Sequence, residues 1–251
     1  MKRVKGLLIC LVIAALLLTV VLSGCNLERK LQGVELKFNQ KLASSSAYSF
    51  DVHLSIRSDG SESEIDLGCF KKNNEYAYSF YAPESRSVEY RRLFADSKLY
   101  EFASQTTLHT GTYSVQDNVA YNDASNLLYS LTQKIMLASY ATLLSAGEKD
   151  KVGGKDVYRY DFTYQGNQYS LWYDDENMVK IKAVFYSTDY EGNVTSETYI
   201  AEFSNYTFGS ASADAFKRPS EMGILYTESP IAIEDWMTII SGFTARANNW
   251  M

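Results

Sequence analysis

The sequence predicts a mainly β, single-domain fold of the α+β class, and three features predict it. Tyrosine is the compositional outlier, with 20 residues against 3 prolines; aromatic side chains suit pleated, half-buried surfaces. Apolar residues alternate with period two through many short runs. Turn-forming Gly, Asn and Asp residues fall between those runs at hairpin spacing.

The chain opens differently. Lys2, Arg3 and Lys5 precede an apolar run from Leu7 to Leu22, the layout of an export leader. From there, Leu27, Leu31, Val34, Phe38 and Leu42 share one helical face. Glu28, Arg29, Lys30, Glu35, Lys37 and Lys41 are expected off that face. The mixed charges favour packing against the protein's own domain over lying on a membrane.

Period two then takes over. Tyr48, Phe50, Val52, Leu54 and Ile56 alternate with polar residues, and Asp59-Gly60 marks a turn. Ile65, Leu67 and Cys69 form the return, Asn73-Asn74 punctuates, and Tyr76, Tyr78 and Phe80 alternate up to Pro83. Val88 to Phe94 and Lys98 to Phe102 read as a hairpin around Ala95-Asp96-Ser97. Residues 125–146 break the pattern: Leu127, Leu128, Leu131, Ile135, Met136, Leu137, Tyr140, Leu143 and Leu144 surround most of the axis with Lys134 the only charge, which predicts a buried helix. Alternation returns at Tyr158, Tyr160, Phe162 and Tyr164, then at Tyr169, Leu171 and Tyr173, then at Val179 to Phe185, and last from Val194 to Tyr206. Ser229-Pro230 predicts the start of a closing helix with Trp236 on its apolar stripe.

Leu22-Ser23-Gly24-Cys25, coming after the apolar run, resembles the lipobox of bacterial lipoproteins. The resemblance implies cleavage after Gly24 and a diacylglycerol and acyl anchor on Cys25. The protein would then be lipid-anchored on the extracytoplasmic face of a bacterial cell membrane. A plain transmembrane anchor and a cleaved leader with a coincidental cysteine are the alternatives.

Further motifs resemble the LolA/LolB-like lipoprotein-carrier superfamily and its lipid-anchored relatives. They are Val152-Gly153-Gly154-Lys155-Asp156-Val157-Tyr158, Leu171-Trp172-Tyr173-Asp174 with Val179-Lys180-Ile181-Lys182, Glu202-Phe203-Ser204-Asn205-Tyr206 and Phe216-Lys217-Arg218-Pro219. The resemblance implies a curved, unclosed antiparallel β-barrel with a few covering helices and an apolar cavity. It divides the chain into a leader (1–24), a half-barrel domain (25–219) and a C-terminal extension with a helix (220–251). The segment 125–146 is then either a lid on the cavity or core filling, and the aromatic face from Tyr158 to Tyr164 either lines the cavity or meets solvent. No ligand-contacting position is carried over from the family.

The rest of the sequence argues against most other classes. With 24 Lys and Arg against 30 Asp and Glu the net charge is −6, and the leader holds three of the basic residues and no acid. Nucleic acid is therefore not an expected partner. Cys10 leaves with the leader and Cys25 takes lipid, so Cys69 is left without a disulfide mate, at an expected buried strand position. His53 and His109 are the only histidines, too few for a histidine metal site. Asp174-Asp175-Glu176 is expected to be a turn rather than a calcium loop. The sequons at Asn193 and Asn205 carry little weight in a bacterial protein. No catalytic motif is present, so the expectation is a non-enzyme without cofactor or metal. It would bind or carry an apolar ligand, a lipid or acyl chain. The alternative is an envelope interaction or sensing module with a filled core and a protein partner; a third reading is glycan binding through exposed tyrosines.

Overall fold

The computed structural model describes residues 30–58, 60–82, 85–105, 107–119, 146–188 and 190–229. Cys25, most of the predicted 125–146 helix and the Trp236 helix lie outside them. Within them one helix, α1 (Leu31–Ser44), precedes twelve strands. Six form a first meander: β1 (Ala47–Ser58), β2 (Ser61–Lys72), β3 (Glu75–Ala82), β4 (Ser85–Ala95), β5 (Lys98–Gln105) and β6 (Thr110–Asp117). Five form a second: β7 (Glu148–Val152), β8 (Lys155–Tyr164), β9 (Asn167–Tyr173), β10 (Met178–Thr188) and β11 (Val194–Phe208). Two 3-10 turns, Ala213–Phe216 and Pro219–Glu221, lead to β12 (Leu225–Glu228).

All twelve strands belong to one curved, unclosed sheet in the order β12-β6-β5-β4-β3-β2-β1-β11-β10-β9-β8-β7. The two meanders join along β1 and β11, where Val52 faces Phe203 and Leu54 faces Ala201. Neighbouring strands are antiparallel except β12, which runs parallel to β6. The tight hairpins follow from local chemistry. Ala95 pairs with Lys98 and Val152 with Lys155, leaving two-residue loops. Asp96 and Ser97, like Gly153 and Gly154, sit at positive φ, the backbone that matches the twist of the flanking strands.

Alternation sends side chains to two faces. On the inner face, where α1 packs, lies the main core: Leu31, Val34, Phe38 and Leu42 of the helix meet Phe50, Val52, Leu67, Tyr173, Met178 and Phe203 of the sheet. On the outer face Ala77, Leu93, Ala95 and Phe102 are covered by Ala215 and Phe216 of the first 3-10 turn. Arg91 and Arg218 hold that turn region down: Arg91 donates to the Asp214 carbonyl at 2.6 Å, and Arg218 reaches Glu75 at 3.0 Å and Asp96 at 2.6 Å.

Three strands were not expected from the sequence. β7 reads EKDKV and is largely exposed, so no apolar alternation marks it; charges on such an edge discourage pairing with another chain. β6 has few apolar residues and β12 has four residues in all. Ala146 makes a bridge with Lys30 and is not the helical residue expected there. Glu35 is the larger correction: it was expected off the apolar stripe of α1, yet it is 1% exposed. It stands four residues after Leu31 and three before Phe38, which places it on the same helical face.

The parallel seating of β12 depends on Gly111. A Cβ there would stand 2.6 Å from the Tyr226 ring and 2.7 Å from the Ala103 carbonyl oxygen. Backbone cannot yield as a side-chain tip can, so Gly111→Ala is expected to cost about 2 kcal/mol by urea denaturation. A loss below about 0.5 kcal/mol would show that β12 moves off Gly111 freely.

Candidate functional site

The inner face is built in rows across the sheet. One row runs Tyr160, Leu171, Ile181, Ala201, Leu54 and Ile65, each opposite the next. The next row towards the β1–β2 tip runs Phe162, Tyr169, Ala183, Tyr199 and Ile56. Its rings interlock: Phe162 stacks on Tyr169 at 5.2 Å, Tyr169 meets Phe185 edge-on at 6.1 Å, and Phe185 meets Tyr199 edge-on at 5.3 Å. The face from Tyr158 to Tyr164 thus points inward, with Tyr160 buried and Tyr158, Phe162 and Tyr164 half-buried against the core. Ile56 and Phe185 are half-buried beside them, and Tyr78 and Tyr90 are half-buried on the far strands. Glu197 stands opposite Phe185 and accepts from the Tyr199 hydroxyl at 2.9 Å; a partly accessible apolar wall with a few polar groups is the ordinary lining of a site for an apolar ligand.

α1 covers the opposite end of the face. Phe38 is wedged between Tyr173 (6.2 Å) and Tyr206 (5.8 Å), edge-on to both. The C-terminal turn of α1 is pinned by Lys41, whose Nζ donates to Glu176 at 2.6 Å and lies 4.2 Å over the Phe208 ring. A cation also suits a helix C-terminus. Nearby, Lys71 donates to the Ser45 carbonyl at 3.2 Å across the Tyr48 ring, and partial burial pulls its ammonium below the usual lysine range.

Under α1 the apolar core contains three orphaned oxygens. Glu35 Oε1, the Tyr173 hydroxyl and the Tyr206 hydroxyl are buried without a hydrogen-bond partner. Tyr206 is half-buried as a residue, but its hydroxyl is enclosed. Burial pushes the Glu35 carboxyl up to about 8, so it is mostly neutral at pH 7. Burial, with the nearby Glu35 second, holds the Tyr173 phenol well above the usual tyrosine range. Such orphaned groups are uncommon and need a physical explanation.

The other residues singled out in the sequence fall apart in space. Cys69 is buried on the inner face, and burial followed by the Asp51 charge pushes its thiol far up, so it is inert. His53 sits on the outer face, 2.8 Å from Asp66 and 3.8 Å from Glu64. Asp174 closes its turn by accepting the Glu176 and Asn177 amides at 2.8 and 2.6 Å; Glu176 is held by Lys41. Asn205 donates to Asp51 at 2.7 Å. Among the described residues no group of three His, Cys, Asp or Glu side chains is placed to hold a metal ion. Nor does any described helix have the length and apolarity to cross a membrane.

No family model matches the chain, and no curated protein matches it. Solved structures do resemble it. A LolA superfamily protein from Nitrosomonas europaea is 14% identical over 76% of this chain and 99% of its own, with a TM-score of 0.32. A putative outer membrane lipoprotein-sorting protein domain from Vibrio parahaemolyticus is 11% identical over 76% of this chain and 97% of its own, with a TM-score of 0.27. The MucA/MucB complex structure from Pseudomonas aeruginosa matches at 14% identity over 75% of this chain and 62% of that chain, with a TM-score of 0.31. Likenesses this distant add nothing about function.

Proposed function

We propose that this protein is a lipid-anchored, extracytoplasmic bacterial lipoprotein that binds or carries an apolar ligand, a lipid or acyl chain, on the inner face of its half-barrel. The observation that carries the reading is the row of half-buried Phe162, Phe185 and Ile56 around Tyr169 and Tyr199. Exposed apolar surface gathered into one patch is costly unless something occupies it. The role is non-enzymatic and needs no cofactor beyond the covalent anchor on Cys25, whose support is the lipobox pattern in the sequence. The second reading, an envelope interaction or sensing module, draws on the part of the face already filled by α1.

Two experiments separate the parts of this reading. A polarity-sensitive fluorophore carrying an acyl chain is expected to brighten on binding and to be displaced by fatty acid or phospholipid. Phe185→Asp, at a half-buried position opposite Glu197, is expected to weaken that binding at least about tenfold, since burying a second, unpaired carboxylate there costs more than about 1.4 kcal/mol. Equal binding by the variant would move the ligand elsewhere. For the anchor, Cys25→Ala is expected to abolish lipid mass and membrane partitioning; a wild-type chain without added lipid mass contradicts it.

A further inference from the structure

We propose that docking of α1 on the inner face is linked to uptake of one proton by Glu35, so that the helix is held closed at low pH and released as pH rises. Glu35 lies on the packed face of α1, one turn before Phe38, and is 1% exposed. Its Oε1 has no hydrogen-bond partner, and neither have the Tyr173 and Tyr206 hydroxyls at the same helix–sheet interface. A carboxylate without a partner in an apolar interface carries a large desolvation penalty, whereas the neutral acid carries only that of a polar group.

Among the described residues, the surroundings supply no compensating charge. Facing the helix are Tyr48 from β1 and, neutral below pH 9, Cys69 from β2, Tyr160 from β8, Tyr173 from β9 and Tyr206 from β11; Asp174 of the β9–β10 turn acts on Tyr206 with a like charge, not a compensating one. Lys71 from β2 is directed to the Ser45 carbonyl, and Lys41 of α1 itself is engaged by Glu176 of the β9–β10 turn. Burial is the sole cause of the upward displacement of Glu35, from 4.5 to about 8. The docked helix therefore binds the proton more tightly than the undocked one. Docking is favoured fully below about pH 4.5 and loses ground as pH rises towards 8, after which the loss levels off. Release uncovers Phe38 together with Tyr173, Tyr206 and their apolar neighbours, and so enlarges the accessible inner face.

Hydrogen exchange read by mass spectrometry tests this on the full chain in phosphatidylcholine nanodiscs, with wild type and variants in the same lipid, from pH 5 to 9. After correction for intrinsic chemical exchange, protection of the α1 amides is expected to fall by up to about tenfold per pH unit between 5 and 8 and then level off. Glu35→Gln is expected to make the profile flat. Tyr173→Phe and Tyr206→Phe are expected to keep the slope, because their phenols do not titrate in this range. A flat wild-type profile overturns the proposal, and that result stands alone if Glu35→Gln does not fold. A slope that survives Glu35→Gln overturns it too. The wild type and Glu35→Gln meet the same lipid, so the difference between their profiles reads the proton on Glu35 and not lipid binding.

Discussion

Phe38→Ala is expected to destabilise the fold by about 4 kcal/mol. The side chain is 0% exposed and stands edge-on to two rings. Three losses combine. The first is the transfer free energy of a buried phenyl, and the second is the cavity it leaves, because a sheet on one side and a helix on the other limit collapse. The third is the pair of edge-to-face contacts, each about 1 kcal/mol. No other α1 residue bridges β9 and β11 through ring contacts with both Tyr173 and Tyr206 among the described residues, so the helix is also expected to lose its fixed position. Leu36→Ala is the control: Leu36 is 49% exposed on the same helix and is expected to change stability by less than about 0.5 kcal/mol. Urea midpoints for the two variants decide it. A cost below about 1 kcal/mol for Phe38→Ala would mean that α1 does not pack as described.

Glu35→Leu is expected to have the opposite sign. At pH 7 the wild type keeps Glu35 largely protonated when folded but ionised when unfolded, where its ordinary value is 4.5. Holding that proton against solution costs about 3 kcal/mol at pH 7, since each unit of displacement is worth about 1.4 kcal/mol. The sign follows from the raised folded value: the Glu35 ionisation penalty is absent below about pH 4.5, grows with rising pH and levels off beyond about 8. Leucine of similar bulk removes this dependence. The stabilisation by Glu35→Leu is therefore expected to be about 2 kcal/mol at pH 5 and about 4 kcal/mol at pH 7: the desolvation of a neutral acid adds about 1 kcal/mol at either pH, and proton linkage supplies the rest. Chemical denaturation at the two pH values measures the difference; an equal gain at both would place the ionised carboxylate beside a compensating group.

The strength of the period-two signal explains why most of the sheet was legible. Val52, Leu54, Ile65, Leu67 and Cys69 alternate with polar neighbours because only one face of β1 and β2 is deeply packed. The hidden strands are those for which burial supplies no pattern. β7 is a charged edge, and β12 is defined by backbone pairing with β6 rather than by its own side chains. β3 was only half legible: Tyr76 and Phe80 point inward as expected, while Ala77 is buried on the outer face under the 3-10 turn. A small residue between aromatics does not announce a second packed layer.

For the site, the direction of the aromatic strand β8 was undecided from sequence because Tyr suits either solvent or a half-buried wall. Register settles it by placing Tyr160 opposite Leu171 and Phe162 opposite Tyr169. Glu35 was misplaced for a different reason. Charge type was weighed above spacing, although its offsets from Leu31 and Phe38 put it on the apolar stripe. A carboxyl at such a position breaks the binary pattern, and breaks of that kind mark functional or strained places.

The central claim is that the inner face holds an apolar ligand. Native mass spectrometry of residues 26–251, produced without lipidation and purified without detergent, followed by organic extraction, measures this most directly. Bound lipid of defined mass, released by extraction and diminished in Phe185→Asp, is the predicted result. A clean ligand-free mass that also takes up no added fatty acid or phospholipid would contradict it.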